Sequence, residues 1–176
     1  MLNDLRIALY LWQAYTHAKL SNDRSTQNGA IIIDEARESA SPLSVGWNSL
    51  VPGWGHKDEA YERPLKYSLT EHAERAAIYK AARKGERLEG MTMVANWVAC
   101  PDCARAIVWS GIKRVICHKQ CMDRTPPRWK EMVDLGLEIL TENRMHPVEV
   151  IQWDGSVKDV TGMEVPNLNS GEFWYP

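Results

Sequence analysis

No apolar run in this chain of 176 residues approaches the roughly 18 that a membrane-crossing helix needs, which excludes a helical membrane span. Neither sign of charge dominates: 21 Lys and Arg against 23 Asp and Glu leave a net charge of −2. A general electrostatic grip on polynucleotide or on a membrane surface is therefore not expected. There are only four cysteines, two of them in a C-x-x-C. That is too few for a disulfide frame and fits a metal site in a reducing cytosol. The first residues, MLNDLRIALYLWQAYTHAKLSNDRST, lack a basic stretch followed by a clean apolar one, since Asp4 and Arg6 lie among the apolar residues. No signal peptide is expected, and the expected location is cytoplasmic. Repeats, low-complexity tracts and linkers are also missing. The length suits a single domain over 1–154, with 155–176 a polar, turn-rich tail packed on the domain or making an oligomer contact.

What is present alternates between helical and extended patterns. Leu2, Leu5, Leu9, Trp12 and Tyr15 form the stripe of an amphipathic helix over 2–20. A polar loop, 21–28, leads into an apolar strand at 29–34, and 43–48 alternates as a second strand, giving a hairpin. The stretch 49–67, rich in Gly, Pro and charge, reads as a long loop of the kind that is usually functional or mobile. Ser68 and Glu71 have capping-box spacing, which predicts a helix from near Ser68 or Thr70 to Lys84, stopped by Gly85. A strand over 91–97, a helix opened by Pro101 and ending near Ser110-Gly111, a strand over 113–117, a helix from Pro126-Pro127 to Leu140 and a strand over 148–153 complete the order. Strands alternating with helices predict an α/β fold with one sheet and helices on its faces.

The chemistry concentrates between Thr70 and Ser110. His72-Ala73-Glu74 is followed, 26 residues after Glu74, by Cys100-Pro101-Asp102-Cys103. One imidazole and two thiols make three ligands for a tetrahedral metal, one short of a closed structural zinc site. Thiols at the start of a helix are helped toward thiolate by its free N–H groups and partial positive charge, and three residues of spacing keep both on one face. A zinc so held would make its water acidic enough to act near neutral pH, and Glu74 would be the carboxylate that moves protons. His-x-Glu followed by Cys-x-x-Cys is the pattern of zinc nucleobase deaminases, although Ala99 stands where that pattern has Pro.

Blander readings stand beside this one. A lone C-x-x-C is more often structural zinc or a redox pair, and a zinc-stabilised module without catalysis would have no use for Glu74. Glu71 reads as a first-turn helix charge. Cys117, His118 and Cys121 form either a second metal site or, the favoured reading, reduced buried side chains. His17, His56 and His146 read as surface or loop histidines, and Trp97 as core packing rather than a base-stacking platform.

With these motifs in hand, the sequence resembles the cytidine/deoxycytidylate deaminase superfamily, and within it the deoxycytidylate (dCMP) deaminases. Asn28-Gly29-Ala30-Ile31-Ile32-Ile33-Asp34 is similar to the family's "VGAVIVD", Val45-Gly46-Trp47-Asn48 to its "GYN", and Gly111-Ile112-Lys113-Arg114-Val115-Ile116 to its "GI.RVV". The likeness covers about residues 5–118, and the Arg128-Trp129 helix resembles an extension of some members. It implies a cytidine-deaminase-like α-β-α layered fold with a mixed five-stranded sheet. It further implies one catalytic Zn2+ on His72, Cys100 and Cys103, and Glu74 as proton shuttle. Asn48 would bind the sugar, and the backbone of Ala73 and of Cys100 the pyrimidine. Arg24 and Ser25 are candidates for the 5′-phosphate. The implied reaction is dCMP to dUMP with release of ammonia, supplying dTTP synthesis, in a homo-oligomer under dCTP and dTTP control and with no polynucleotide partner. A different free nucleotide (dCTP, a modified dCMP), a nucleoside or another heterocycle is the alternative substrate. Besides Ala99, the chain departs from the family at Arg75-Ala76-Ala77, where dCMP enzymes read x-N-A, and at Ser49-Leu50-Val51-Pro52, where they read "GxP".

Overall fold

Asn3 opens the first helix of the computed structural model, its side chain accepting from the Arg6 amide at 2.9 Å. The structure describes residues 2–23, 25–37, 41–166 and 168. This helix, α1 (Asp4–Ala18), turns a different face to the core from the stripe expected of it. Ile7, Ala8, Leu11, Ala14, Tyr15 and Ala18 are buried, whereas Leu5 is exposed and Leu2, Leu9 and Trp12 are half-buried. Three small alanines let the helix axis come close to the sheet, so area matters less than fit. The expected stripe is used in part elsewhere: the Trp12 indole N–H donates to the Glu164 carbonyl at 3.1 Å, beside Val165.

The chain then runs through β1 (Gly29–Ile33), β2 (Ser44–Trp47), β3 (Ser49–Leu50), a 3-10 turn (Asp58–Tyr61), α2 (Leu65–Leu69), β4 (Thr70–Glu71), α3 (Ala73–Lys84), β5 (Thr92–Ala95) and α4 (Pro101–Trp109). After these come β6 (Arg114–His118), α5 (Lys119–Asp123), α6 (Pro127–Thr141), β7 (Glu149–Trp153) and α7 (Val157–Thr161). The sheet order is β2-β1-β5-β6-β7, with β1 antiparallel to both neighbours and β5, β6 and β7 parallel. This is the mixed five-stranded sheet expected, and helices cover both faces. Ala30, Ile32, Met93, Ala95, Val115 and Cys117 point to α3, α4 and α6, while Ile31, Ile33, Val94 and Ile116 point to α1 and α7. Burial on both faces is why β1 reads as an unbroken apolar run rather than an alternation.

The region from 49 to 71 differs from the sequence reading in a way that matters for the site. Thr70 and Glu71 do not begin a helix. They pair as a strand with Ser49 and Leu50 (Ser49 opposite Glu71, Leu50 opposite Thr70), and the Val51 amide adds a bond to the Leu69 carbonyl at 2.8 Å. Cross-chain pairing overrides the local capping-box signal, and α3 starts only at Ala73, with His72 extended at its N-cap (φ −75, ψ 154). Gly85, at φ 71, stops α3 as expected, its amide and that of Glu86 closing the last turn. The segment after β7 contains α7, capped by Ser156, where only turns were expected; residues 169–176 of that tail lie outside the described residues.

Candidate active site

The two ligand motifs are placed by the same device, the first residue of a helix that packs on the sheet. His72 is the N-cap of α3, Cys100 the N-cap of α4, Pro101 fills the first position of α4, and Cys103 follows in its first turn. Glycines set how close these helices come. A Cβ on Gly46 of β2 would lie 2.1 Å from the Ala73 carbonyl oxygen, and one on Gly136 of α6 would lie 2.0 Å from that of Ala99. A glycine therefore backs each motif, and the α6 contact at Ala99 gives this position a close neighbour although it lacks the family's Pro.

His72 Nδ1 lies 3.4 Å from Cys100 Sγ and 3.6 Å from Cys103 Sγ, and the three donor atoms fall within 4.8 Å of one another. A tetrahedral zinc with Zn–S of about 2.3 Å and Zn–N of about 2.05 Å requires N···S edges of about 3.6 Å. The donor set and its spacing fit that ion. Among the described residues no other group of His, Cys, Asp and Glu converges in this way.

The charges around this point are arranged for a cation and a mobile proton. The Cys100 thiol is held down to about 4, first by a hydrogen bond from Cys103 and then, against burial, by His72. The same bond, with burial, pushes Cys103 well up, so without metal the two sulfurs share one negative charge. Burial would lower the His72 value, but its contact with Cys100 outweighs this and raises it. Glu74, two per cent exposed, is pushed up to about 7 by burial and by the Cys100 charge, against the pull of His72. Its Oε2 has no hydrogen-bond partner. A buried carboxyl near half-ionisation at neutral pH, with one oxygen free, is suited to pick up and return a proton.

Arg75 was not anticipated from the sequence. Its Nε bonds Glu71 Oε1 at 2.5 Å, and its Nη1 lies 3.8 Å from Cys103 Sγ and 3.7 Å from Asp102 Oδ2. Glu71 also accepts from the His72 amide at 3.1 Å, so it is more than a first-turn helix charge. The Glu71/Arg75 spacing of four was the available signal, but only the fold shows the guanidinium beside a ligand thiolate.

Asn48, five per cent exposed, accepts at Oδ1 from the Ala73 amide (3.0 Å) and donates from Nδ2 to the Thr26 carbonyl (3.1 Å). The structure thus brings Asn48 and Ala73 together with the ligand set. Ser25 sits in a clamp with Lys66, which the sequence reading passed over. The Ser25 hydroxyl donates to Asp23 Oδ1 (3.0 Å) and accepts from Lys66 Nζ, and Lys66 pairs with both Asp23 oxygens at 2.9 and 3.1 Å. Lys66 and Asp23 are nearly buried, 9% and 7% exposed at the side chain. Burial works to raise the Asp23 carboxyl, but Lys66 and the Ser25 amide and hydroxyl hold it below the usual range. Arg24 lies outside the described residues.

The other histidine and cysteine motifs settle into packing. His118 Nε2 faces the Gly155 carbonyl at 3.1 Å and must donate to it, so Nδ1 accepts from the Tyr15 hydroxyl at 2.6 Å. Tyr15 in turn meets Cys121 Sγ at 2.7 Å, and Cys117 is buried. His17 stacks on Trp47, and Trp97 is half-buried against the core with its N–H on Thr125 Oγ1 at 3.0 Å.

Comparison with known proteins agrees with this geometry. Residues 6–119 match the model of the cytidine and deoxycytidylate deaminase zinc-binding region. An uncharacterized deaminase encoded in the luxG 3′ region of Aliivibrio fischeri is 35% identical over 122 residues, covering 69% of this chain and 78% of that one. Deoxycytidylate deaminase of Enterobacteria phage T4 is 42% identical over 69 residues, 39% of this chain, and that of phage T2 is 35% identical over 85, 48% of it. Those alignments span only 35% and 45% of the two phage enzymes. The dCMP deaminase of cyanophage S-TIM5, solved in complex with dCMP and dUMP, shares the fold at a TM-score of 0.65 and 22% identity over 87% of this chain and 100% of that one.

Proposed function

The chain belongs to the cytidine and deoxycytidylate deaminase family, and we propose that within it the protein converts dCMP to dUMP and ammonia. The family and the His72, Cys100 and Cys103 set make it a zinc-dependent deaminase. The observation that carries the catalytic reading is Glu74, buried, with a free oxygen and a value raised to about 7.

Zinc, when held by His72, Cys100 and Cys103, supplies the Lewis acidity that makes water nucleophilic near neutral pH. Glu74 takes a proton from the attacking water and gives it to the ring nitrogen N3, then carries the second proton to the departing amine. One C–O bond forms at C4, one C–N bond breaks, and a water is consumed for each ammonia released. Asn48, held by Ala73 and Thr26 against the N-terminus of α3, contacts the sugar. The Ala73 amide already serves Asn48, so its contact with the pyrimidine falls to the rest of that residue, beside the Cys100 backbone. Arg24 and Ser25 serve the 5′-phosphate, with Ser25 held in place by the Lys66–Asp23 pair.

The substrate assignment is supported by the phage relatives and by a net charge of −2, which does not favour a polynucleotide. The same reading places the enzyme in the cytoplasm as a homo-oligomer that answers to dCTP and dTTP. Ammonia release from zinc-loaded protein decides among substrates, with dCMP, dCTP, deoxycytidine and a single-stranded oligonucleotide each tried with and without dCTP or dTTP. Turnover of dCMP above the others is the expected result. Turnover of deoxycytidine or oligonucleotide in its place would sink the reading.

A further inference from the structure

Among the described residues two buried side-chain oxygens lack a hydrogen-bond partner: Glu74 Oε2, in the first turn of α3, and Asn28 Oδ1, just before β1. The first is the proton carrier. The second has no role so far, although Asn28 is only four per cent exposed.

Register places this side chain. Gly29 pairs with Trp47, so Asn28 stands opposite Asn48, whose amide donates to the Asn28 carbonyl at 3.1 Å. On the other side Ala30 pairs with Ala95, which sets Asn28 opposite Trp97. Side chains alternate along a strand, so Asn28 shares the face of Ala30 and Ile32, the one covered by α3 and α4 that carries His72, Glu74 and Cys100. Its Nδ2 donates to the Trp97 carbonyl at 2.9 Å. That bond fixes the amide, because a flipped one would set two carbonyl oxygens against each other. Oδ1 is thereby aimed away from Trp97, desolvated and without a donor, which is costly for any buried acceptor.

We propose that Asn28 reads the substrate, its Oδ1 accepting a hydrogen bond from the 3′-hydroxyl of the deoxynucleotide. The inference rests on the dCMP reading above and follows from counting donors. At neutral pH a cytosine deoxynucleotide offers N–H or O–H hydrogens in two places, the 4-amino group and the 3′-hydroxyl. The amine has to lie against Glu74 and the metal ligands in order to leave. The hydroxyl is what remains for an acceptor-only atom. Asn48, directly opposite, has committed one lone pair and one N–H to Ala73 and Thr26, and keeps one N–H for the oxygen of the same hydroxyl. The two asparagines together offer one acceptor and one donor to a single O–H.

The test compares kcat/KM for dCMP and for 2′,3′-dideoxy-CMP in zinc-loaded wild type and in Asn28→Val, with zinc content and thermal unfolding recorded for both. Wild type should prefer dCMP by about tenfold or more, since a site built for a hydroxyl discriminates against its absence. In Asn28→Val the preference should fall by about threefold or more, mostly through loss on dCMP, while the part carried by the Asn48 N–H remains. Asn28→Ser reads the same ratio if the valine variant does not fold. Equal losses on both nucleotides, with the ratio kept, would mean that Asn28 only braces Trp97, and would overturn the inference. So would a wild type that does not discriminate. A wild type inert toward both nucleotides would instead overturn the dCMP assignment, and this inference with it.

Discussion

Replacing Glu74 with Gln should separate catalysis from stability, because the structure makes the two run in opposite directions. The substitution keeps shape and removes ionisation. Proton transfer by a positioned carboxyl is worth about 10²–10⁴ in rate, so kcat should fall by that factor, or about 3–5 kcal/mol of transition-state stabilisation, with zinc still bound. For stability, the carboxyl moves from 4.5 to about 7 on folding without metal, driven first by burial. An acid whose value is raised in the folded state destabilises it when ionised. The penalty is absent below 4.5, grows between 4.5 and 7, and is complete above 7 at about 3 kcal/mol. In zinc-free protein, Glu74→Gln should therefore gain stability relative to wild type between pH 4.5 and pH 8, by up to about 3 kcal/mol. Comparing the two pH values cancels the cost of burying the new amide. Urea unfolding of chelated wild type and variant at both pH values measures this, and ammonia release measures the rate. A variant that kept activity within a few-fold, or whose relative stability did not change with pH, would refute the assignment of Glu74 as a buried proton carrier.

The remaining predictions concern the ligands and their surroundings. His72→Ala and Cys103→Ala should each lose zinc, read by metal analysis after dialysis, and lose activity with it. Arg75→Ala removes the cation beside Cys103 Sγ, whose charge works against the rise caused by the Cys100 contact and burial and so favours the thiolate that zinc requires. Zinc release on acid titration should then move to higher pH, while Glu71→Gln should give a smaller shift of the same sign. Lys66→Met leaves Asp23 buried without its partner and should cost about 3–5 kcal/mol at neutral pH, most of it recovered by adding Asp23→Asn. The Asp23 carboxyl is held below its ordinary value, so the wild-type advantage should be complete above about pH 4 and vanish as pH falls through the folded value. Thermal unfolding from pH 2 to 7 checks this.

Much of the metal site is legible in the chain because its parts are local. His72 and Glu74, and Cys100 and Cys103, each sit within one turn, and Pro101 and Gly85 are local signals for where helices start and stop. The misread elements are those where a distant partner decides. Ser68 to Glu71 carry a capping-box spacing, yet Ser49 and Leu50 take Thr70 and Glu71 into a strand pair. The α1 stripe of large residues is a genuine amphipathic pattern, but close approach to the sheet favours the face with Ala8, Ala14 and Ala18.

By itself, then, the order of residues determined the donor set, the carboxyl of Glu74 beside it and the alternation of strands and helices. These depend on spacings of one to four residues, and local geometry converts such spacings directly into shared faces and helix ends. Only the tertiary structure decided that Arg75 reaches Cys103, that Lys66 holds Asp23 and Ser25, and that Asn28 and Asn48 stand side by side. Each of these contacts joins segments whose mutual position is set by strand register and helix packing, and no short-range pattern encodes that position.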